Sequence, residues 1–266
     1  MRKRFLLILI PAIVLIAVFT LRGGEEETAE EAVFPVEGVV QMEEVAAVKA
    51  VKAGVSISLG TVKENTEDGG VIITVDRSGD ALELSFSDVA ADAWYLPAVN
   101  YAASGALMDG ILSEGKFGPD LGITRAQFAV VLYRFLGGES VEGESVFADV
   151  ESDAWYYEEV NWAVQMGYLS GSGVDTFGAD EFISCEQVLS VLHRLAGEVK
   201  SNTTLENYPY APKVSAYAKN AVAWAWGAGL IAEEEAIWYP TQTVSRAQLA
   251  LLLMRYDALT GGTISQ

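Results

Sequence analysis

Three short segments, ITRAQ at 123–127, ISCEQ at 183–187 and VSRAQ at 244–248, decide the architecture of this 266-residue chain. Each puts Thr or Ser where a helix begins and Gln three residues later. That is the capping-box pattern, in which the hydroxyl and the amide satisfy orphan backbone N–H groups at a helix start. Their nearly constant spacing marks them as equivalent points of an internal repeat.

Working outward, the residues after each cap carry an apolar stripe at helical spacing. Phe128, Val131, Leu132 and Phe135 are answered by Val188, Val191, Leu192 and Leu195, and then by Leu249, Leu252, Leu253 and Tyr256. Before each cap lies a loop carrying FGPD at 117–120, FGAD at 177–180 or WYPT at 238–241. Further upstream, FSDVAADAWYLPAVNYAASGALMDG from Phe86 is matched by FADVESDAWYYEEVNWAVQMGYLSG from Phe147 and more loosely by YPYAPKVSAYAKNAVAWAWGAGLI from Tyr208. Phe86 and Phe147, Asp88 and Asp149, and Trp94 and Trp155 keep one common offset, Tyr208 continues it, and Tyr217 follows one residue late. A first helix is expected in each unit, ended by Gly105, Gly167 or Gly229 in the left-handed turn that glycine tolerates best.

One helix pair cannot bury such stripes alone, whereas three pairs around a common centre can. The expected fold is therefore mainly α, three helix-pair repeats in a pseudo-threefold bundle, with a small β element N-terminal to it. The expected units run 86–137, 147–197 (degenerate) and 208–259. Residues 51–85 form the β element, with strands at VSISL (55–59), VIITV (71–75) and ALEL (81–84). Residues 25–50 read as an acidic spacer and residues 1–24 as a signal peptide or membrane anchor. There Arg2, Lys3 and Arg4 precede an apolar run from Phe5 to Leu21 without a clear cleavage site, which places the rest of the chain outside the cytoplasm.

A formal charge of −20 argues against nucleic acid as a partner, because phosphate contacts need clustered Lys and Arg. One cysteine and one histidine leave no disulfide, no Cys/His zinc set and no expected cofactor. Cys185 and His193 stand eight residues apart on one expected helix, roughly 12 Å along its axis, so they form no catalytic dyad. No Asp/Glu pair stands out from the repeat, and a non-enzyme is expected.

Arg125 and Arg246 are the residues that capping does not explain. They follow the caps Thr124 and Ser245, at the end of a helix whose dipole disfavours a cation by roughly 0.3–1 kcal/mol. An anionic ligand held jointly by free N–H groups and the guanidinium would account for them. An arginine that turns its long stem to solvent is the alternative.

Taken together, F-x-D-V, the following Trp, the Gly-x-x-x-G-like turn, the F-G-P loop and the T-R-A-E-like helix start resemble the S-layer homology repeat. The resemblance covers residues 86–259. It implies a pseudo-trimer whose grooves bind a secondary cell-wall polysaccharide bearing pyruvate ketals, with Arg125, Thr124, Arg246 and Ser245 as ligand-binding residues. Trp94, Trp155 and Gly110 join them as candidate contacts, although a Trp opening a helix is more often core, and Asp88 and Asp149 are open to a capping role. Departures from the pattern are Cys185 with Glu186 in the second unit, which predicts a weak or silent groove, and Tyr210 and Glu233, Glu234 and Glu235 in the third.

The resulting expectation is non-covalent attachment of a cell-surface protein to an anionic wall polymer, with membrane contact if the N-terminal segment stays uncleaved. The alternative is a helical scaffold that binds another protein and has lost its carbohydrate.

Overall fold

In the computed structural model all three helix starts form complete capping boxes. Thr124, Ser184 and Ser245 accept the backbone N–H of Gln127, Gln187 and Gln248, and each Gln side chain accepts the N–H of its cap. The structure describes residues 57–265 apart from Thr66, Asp68, Ser78, residues 233–237 and residues 262–263. The expected leader and acidic spacer lie outside the described residues, as do Glu233, Glu234 and Glu235. No helix among the described residues is long and apolar enough to cross a membrane.

Immediately before the caps, the three segments bond to one another in a closed cycle. Ile123 N–H donates to the Val244 carbonyl, Val244 N–H to that of Ile183, and Ile183 N–H to that of Ile123, at 3.0–3.1 Å. All three side chains are fully buried. Buried backbone donors and acceptors must be paired, and here each unit pairs those of the next.

From this ring run the six α-helices of the described residues: α1 Leu96–Ser104, α2 Arg125–Leu136, α3 Tyr157–Gln165, α4 Cys185–Leu195, α5 Lys219–Gly227 and α6 Arg246–Leu259. The helices pack between units: α2 lies against α3, α4 against α5, and α6 returns to α1. Every residue of the three expected stripes is buried in one continuous core. At the closing contact the Tyr101 hydroxyl donates to the buried Asp257 carboxylate, 2.9 Å away.

The β element is larger than its apolar pattern suggests and belongs to the same core. Strands β2 Thr61–Glu64, β3 Val71–Arg77 and β4 Asp80–Phe86 form an antiparallel meander, while β1 Ile57–Ser58 pairs in parallel with β5 Ile264–Ser265. Strand β2 escaped the sequence reading because TVKE is an exposed edge with no alternating apolar face. The expected strand VSISL shrinks to two residues. Val71, Ile73, Val75, Leu84 and Phe86 are buried against the helices. The Asn100 amide of α1 clasps the Gly60 backbone, donating to its carbonyl at 2.8 Å and accepting its N–H at 3.1 Å. Helices and sheet together make the fold mixed, which corrects the mainly α expectation.

The glycine expected to end α1 also differs. Gly167 and Gly229 have φ of +73° and +69°, whereas Gly105 is at −77° and Ala106 takes the left-handed conformation at +54°. In the repeat alignment Ala106, not Gly105, is the counterpart of Gly167.

Candidate functional site at the unit junctions

The start of each second helix docks on the loop of a neighbouring unit, and this docking uses up its N–H groups. The Arg125 and Ala126 N–H donate to the carbonyls of Glu181 and Ala179 at 2.8 and 3.0 Å. Cys185 and Glu186 do the same to Gln242 and Pro240, and Arg246 and Ala247 to Leu121 and Pro119. The next N–H goes to the capping hydroxyl. The expectation that free helix N–H groups help to hold an anion is therefore corrected, and any such contact falls to the guanidinium.

Arg125 crosses from the first unit to the loop of the second. Its Nε donates to the Phe177 carbonyl at 2.9 Å, its Nη2 to the Ser170 carbonyl, and its guanidinium lies 4.7 Å from the Phe177 ring centroid. Arg246 crosses from the third unit to the first in the same way, with Nε on the Phe117 carbonyl at 2.8 Å and the guanidinium 5.0 Å from that ring. Arg125 is only 6% exposed, so it does not turn to solvent. Burial pulls both guanidinium pKa values below the ordinary one, opposed by Glu181 and Asp149 at Arg125 and by Asp88 and Asp109 at Arg246. Among the described residues no carboxylate comes within ion-pair distance of either arginine.

Asp88 and Asp149 do not cap α1 and α3. Asp88 accepts the N–H groups of Phe117 and Gly118 at 2.7 and 2.8 Å, and Asp149 those of Phe177 and Gly178, both at 2.7 Å. Each carboxylate thus fixes the loop whose Phe carbonyl receives the arginine. The sequence showed these residues as equivalents but not this contact, which joins segments far apart in the chain.

Trp94 and Trp155 are 44% and 64% exposed, which overturns the core reading for them. Each stands edge-on to the next residue, Tyr95 or Tyr156, at 5.2 and 5.3 Å between ring centroids. Tyr217, their counterpart, is also exposed. Gly110 has φ +78°, and a Cβ there would lie 2.6 Å from the Lys116 carbonyl oxygen, so its backbone alone requires glycine.

The third junction is built differently. Cys185 occupies the arginine position, 3% exposed, and burial followed by the neighbouring Glu186 pushes its thiol up to about 12. The loop carbonyl left without an arginine, that of Trp238, accepts the Tyr208 hydroxyl. Tyr208 stands where the other units have Phe86 and Phe147, so an added hydroxyl replaces the lost Nε. Glu186 is buried and accepts the Ser215 N–H at 3.0 Å and the Tyr217 hydroxyl at 3.1 Å. Sequence reasoning missed the Tyr208 role, although its signal was legible: the third unit gains a hydroxyl where the second loses a donor. His193, bonded through Nε2 to the Val199 carbonyl, takes no part.

The S-layer homology domain family model matches residues 85–129 and 146–188, so the first two units are similar to the S-layer homology domain. An endoglucanase of Bacillus sp. (strain KSM-635) is 28% identical over 63% of this chain and 18% of its own length. The cellulosome-anchoring protein of Acetivibrio thermocellus is 30% identical over 45% of this chain and 27% of its own. The surface-layer 125 kDa protein of Lysinibacillus sphaericus is 27% identical over 54% of this chain and 12% of its own. The chain thus spans less than a third of each of these relatives. The match to an enzyme touches a small part of it and carries no catalytic role to this chain. The family and the surface proteins support attachment at the cell surface.

Proposed function

We propose that this chain attaches to the bacterial cell wall by holding an anionic, pyruvate-bearing secondary wall polysaccharide at the Arg125 and Arg246 junctions. One observation carries the reading: two guanidinium groups sit at equivalent junctions, each stacked on a phenylalanine and steadied through Nε, with no carboxylate of the chain in ion-pair contact among the described residues. Nη1 of Arg125 and both Nη atoms of Arg246 make no protein hydrogen bond among the described residues, which leaves donors for a ligand carboxylate. Trp94 and Trp155 offer exposed indole faces on which a sugar ring can stack.

The cyclic hydrogen bonds support a pseudo-threefold arrangement in which the third unit is a diverged repeat of the same kind. The N-terminal segment would direct export and, if retained, tie the wall-bound body to the membrane. Mass determination of the mature N-terminus tests that part.

The main test is retention on purified wall polymer before and after chemical removal of pyruvate. Retention lost on removal, and lost in Arg125→Ala and Arg246→Ala, is the expected result; binding indifferent to pyruvate discards the mechanism. A protein-binding scaffold is the second reading, favoured by Leu121 and Phe182, which expose apolar side chains beside the ring. A scaffold of that kind would keep its partner when both arginines are replaced.

A further inference from the structure

We infer that Arg77, at the end of strand β3, is a positioning residue for Arg246: it holds the Asp109 carboxylate away from that guanidinium and so keeps it open to an anion from outside. The inference rests on the anion reading of Arg246, and it gives the β element a part in the junction between the third and first units.

The second unit shows how near position 109 lies to the arginine. Asp109, Ser170 and Ala232 are counterparts, each three residues after Ala106, Gly167 or Gly229. At the Arg125 junction the Ser170 carbonyl accepts Nη2 directly, so a residue at this position stands within one hydrogen bond of the guanidinium. The first unit keeps the same frame. Arg246 Nε donates to the Phe117 carbonyl at 2.8 Å, and a Cβ on Gly110, the residue after Asp109, would lie 3.3 Å from Phe117 Cα. Of the three counterparts, Asp109 alone carries a charge.

That charge is a competitor. A carboxylate that reached the Nη atoms of Arg246 would form the charge-assisted pair that guanidinium and carboxylate favour, and would occupy the donors an outside anion needs. Asp88 and Asp109 are the carboxylates whose charge bears on Arg246. Asp88 is committed elsewhere, to the N–H groups of Phe117 and Gly118. Asp109 has no backbone clamp of that kind among the described residues, and its partner there is Arg77.

Arg77 takes the competitor out of play. Its Nη2 donates to Asp109 Oδ1 at 2.5 Å and to the Ala103 carbonyl, in the last turn of α1, at 2.6 Å. The two side chains are 27% and 30% exposed, so the pair is partly withdrawn from water and less screened than a surface pair. Arg77 Nε is buried without a hydrogen-bond partner, so this reach costs the side chain one donor. The effect is seen at Arg246, where no carboxylate of the described residues is in ion-pair contact and both Nη atoms are left for a ligand. Ser170 and Ala232 present no carboxylate, so the other units have nothing for such an arginine to restrain.

The test uses the full chain with nitrogen-15-labelled arginine and reads the side-chain resonances of Arg246 and Arg125. In Arg77→Gln, without any ligand, Asp109 should swing onto Arg246, slow rotation about its Cζ–Nη bonds and bring its Nη protons into view as separate resonances, with Arg125 unchanged. Adding Asp109→Asn to Arg77→Gln should return the Arg246 spectrum to that of the parent chain. The double variant still lacks Arg77, so this rescue separates positioning from a purely structural role. In titrations with short fragments of the purified wall polymer, Arg77→Gln should lower the affinity read at Arg246 Nε about tenfold, and the double variant should recover it to within about twofold. Asp109→Asn alone, with Arg77 in place, should match the parent chain, which keeps the inference testable if Arg77→Gln perturbs the fold. An Arg246 spectrum unchanged in Arg77→Gln, a loss of binding that Asp109→Asn does not recover, or a tenfold change in Asp109→Asn alone overturns the inference. Polymer that shifts neither arginine of the parent chain is a failure of the anion reading instead, and the ligand-free spectra still decide the role of Arg77.

Discussion

Asp149 and Arg125 hold the same residue from opposite sides: the carboxylate accepts the Phe177 N–H at 2.7 Å, and the guanidinium Nε donates to the Phe177 carbonyl at 2.9 Å. The pair communicates through one peptide segment, not through an ion pair. Burial raises the Asp149 carboxyl, but hydrogen bonds from the backbone N–H groups of Phe177 and Gly178, with further backbone contributions, outweigh it and leave the pKa below the usual carboxylate value. A depressed folded-state pKa means stability that is present above the unfolded value, about 3.9, and is lost as pH falls through the folded one. Unfolding midpoints measured from pH 6 down to pH 2 should therefore fall below about pH 4. Asp149→Ala should cost about 2–3 kcal/mol at neutral pH and flatten that acid limb.

Arg125→Ala should be harmful even without a ligand. It leaves the Phe177 and Ser170 carbonyls without their donor and opens space over the Phe177 ring. A loss of about 2–4 kcal/mol is expected in urea unfolding, against about 1–2 for Arg246→Ala, which removes one such hydrogen bond. Binding must therefore be measured at a temperature where both variants remain folded. Under those conditions each should lower affinity for pyruvylated polymer ~10–100-fold, the worth of one or two charge-assisted hydrogen bonds.

Gly110 distinguishes a backbone requirement from a ligand contact. At φ +78° with a Cβ aimed 2.6 Å from the Lys116 carbonyl oxygen and 2.8 Å from Phe86 Cε1, Gly110→Ala must strain the turn. The expected cost is about 2–4 kcal/mol by chemical denaturation. Unchanged stability with lost binding would instead mark Gly110 as a contact residue only.

Cys185 should be chemically silent in the folded chain. Its thiol is buried and pushed up to about 12, so almost no thiolate exists at pH 8. A disulfide reagent should react with it only after denaturation, in proportion to the unfolded fraction. The raised pKa also means that its stabilising contribution is complete below the unfolded value of about 8.5 and erodes as pH rises towards 12.

The parts of this fold that were legible in the sequence are those decided locally. A capping box is written within four residues, and the stripe from Phe128 to Phe135 is written in helical period, so both emerge as read. Periodicity names a buried face but not the partner that covers it, and α2 covers α3 of the next unit. Strand β2 lacks an apolar face of its own and exists because β3 offers it a ladder. Trp94 and Trp155 misled because a large aromatic usually means core, whereas here Tyr95 and Tyr156 hold them edge-on at the surface. Of the candidate site, the arginine positions could be read and their surroundings could not. The acceptors at 170 and 177 meet Arg125, and the carboxylate at 149 meets the Phe177 N–H, only after the chain has folded.

The exchange at the third junction can be tested as a coupled pair. In the first two loops Phe86 and Phe147 pack against the rings of Phe117 and Phe177 and an arginine supplies the donor to the carbonyl; in the third, Tyr208 supplies it and Cys185 supplies none. Tyr208→Phe alone should cost about 1–2 kcal/mol, because the buried Trp238 carbonyl loses its partner. Cys185→Arg alone should also destabilise, since the guanidinium would enter a site already filled by the Tyr208 hydroxyl. Together the two changes restore the pairing of the other junctions, with Nε free to reach the Trp238 carbonyl. The double variant should therefore be more stable than the sum of the single losses by about 1 kcal/mol or more, measured as the interaction term of a double-mutant cycle in urea. Strict additivity would mean that Tyr208 and the arginine position do not serve the same acceptor.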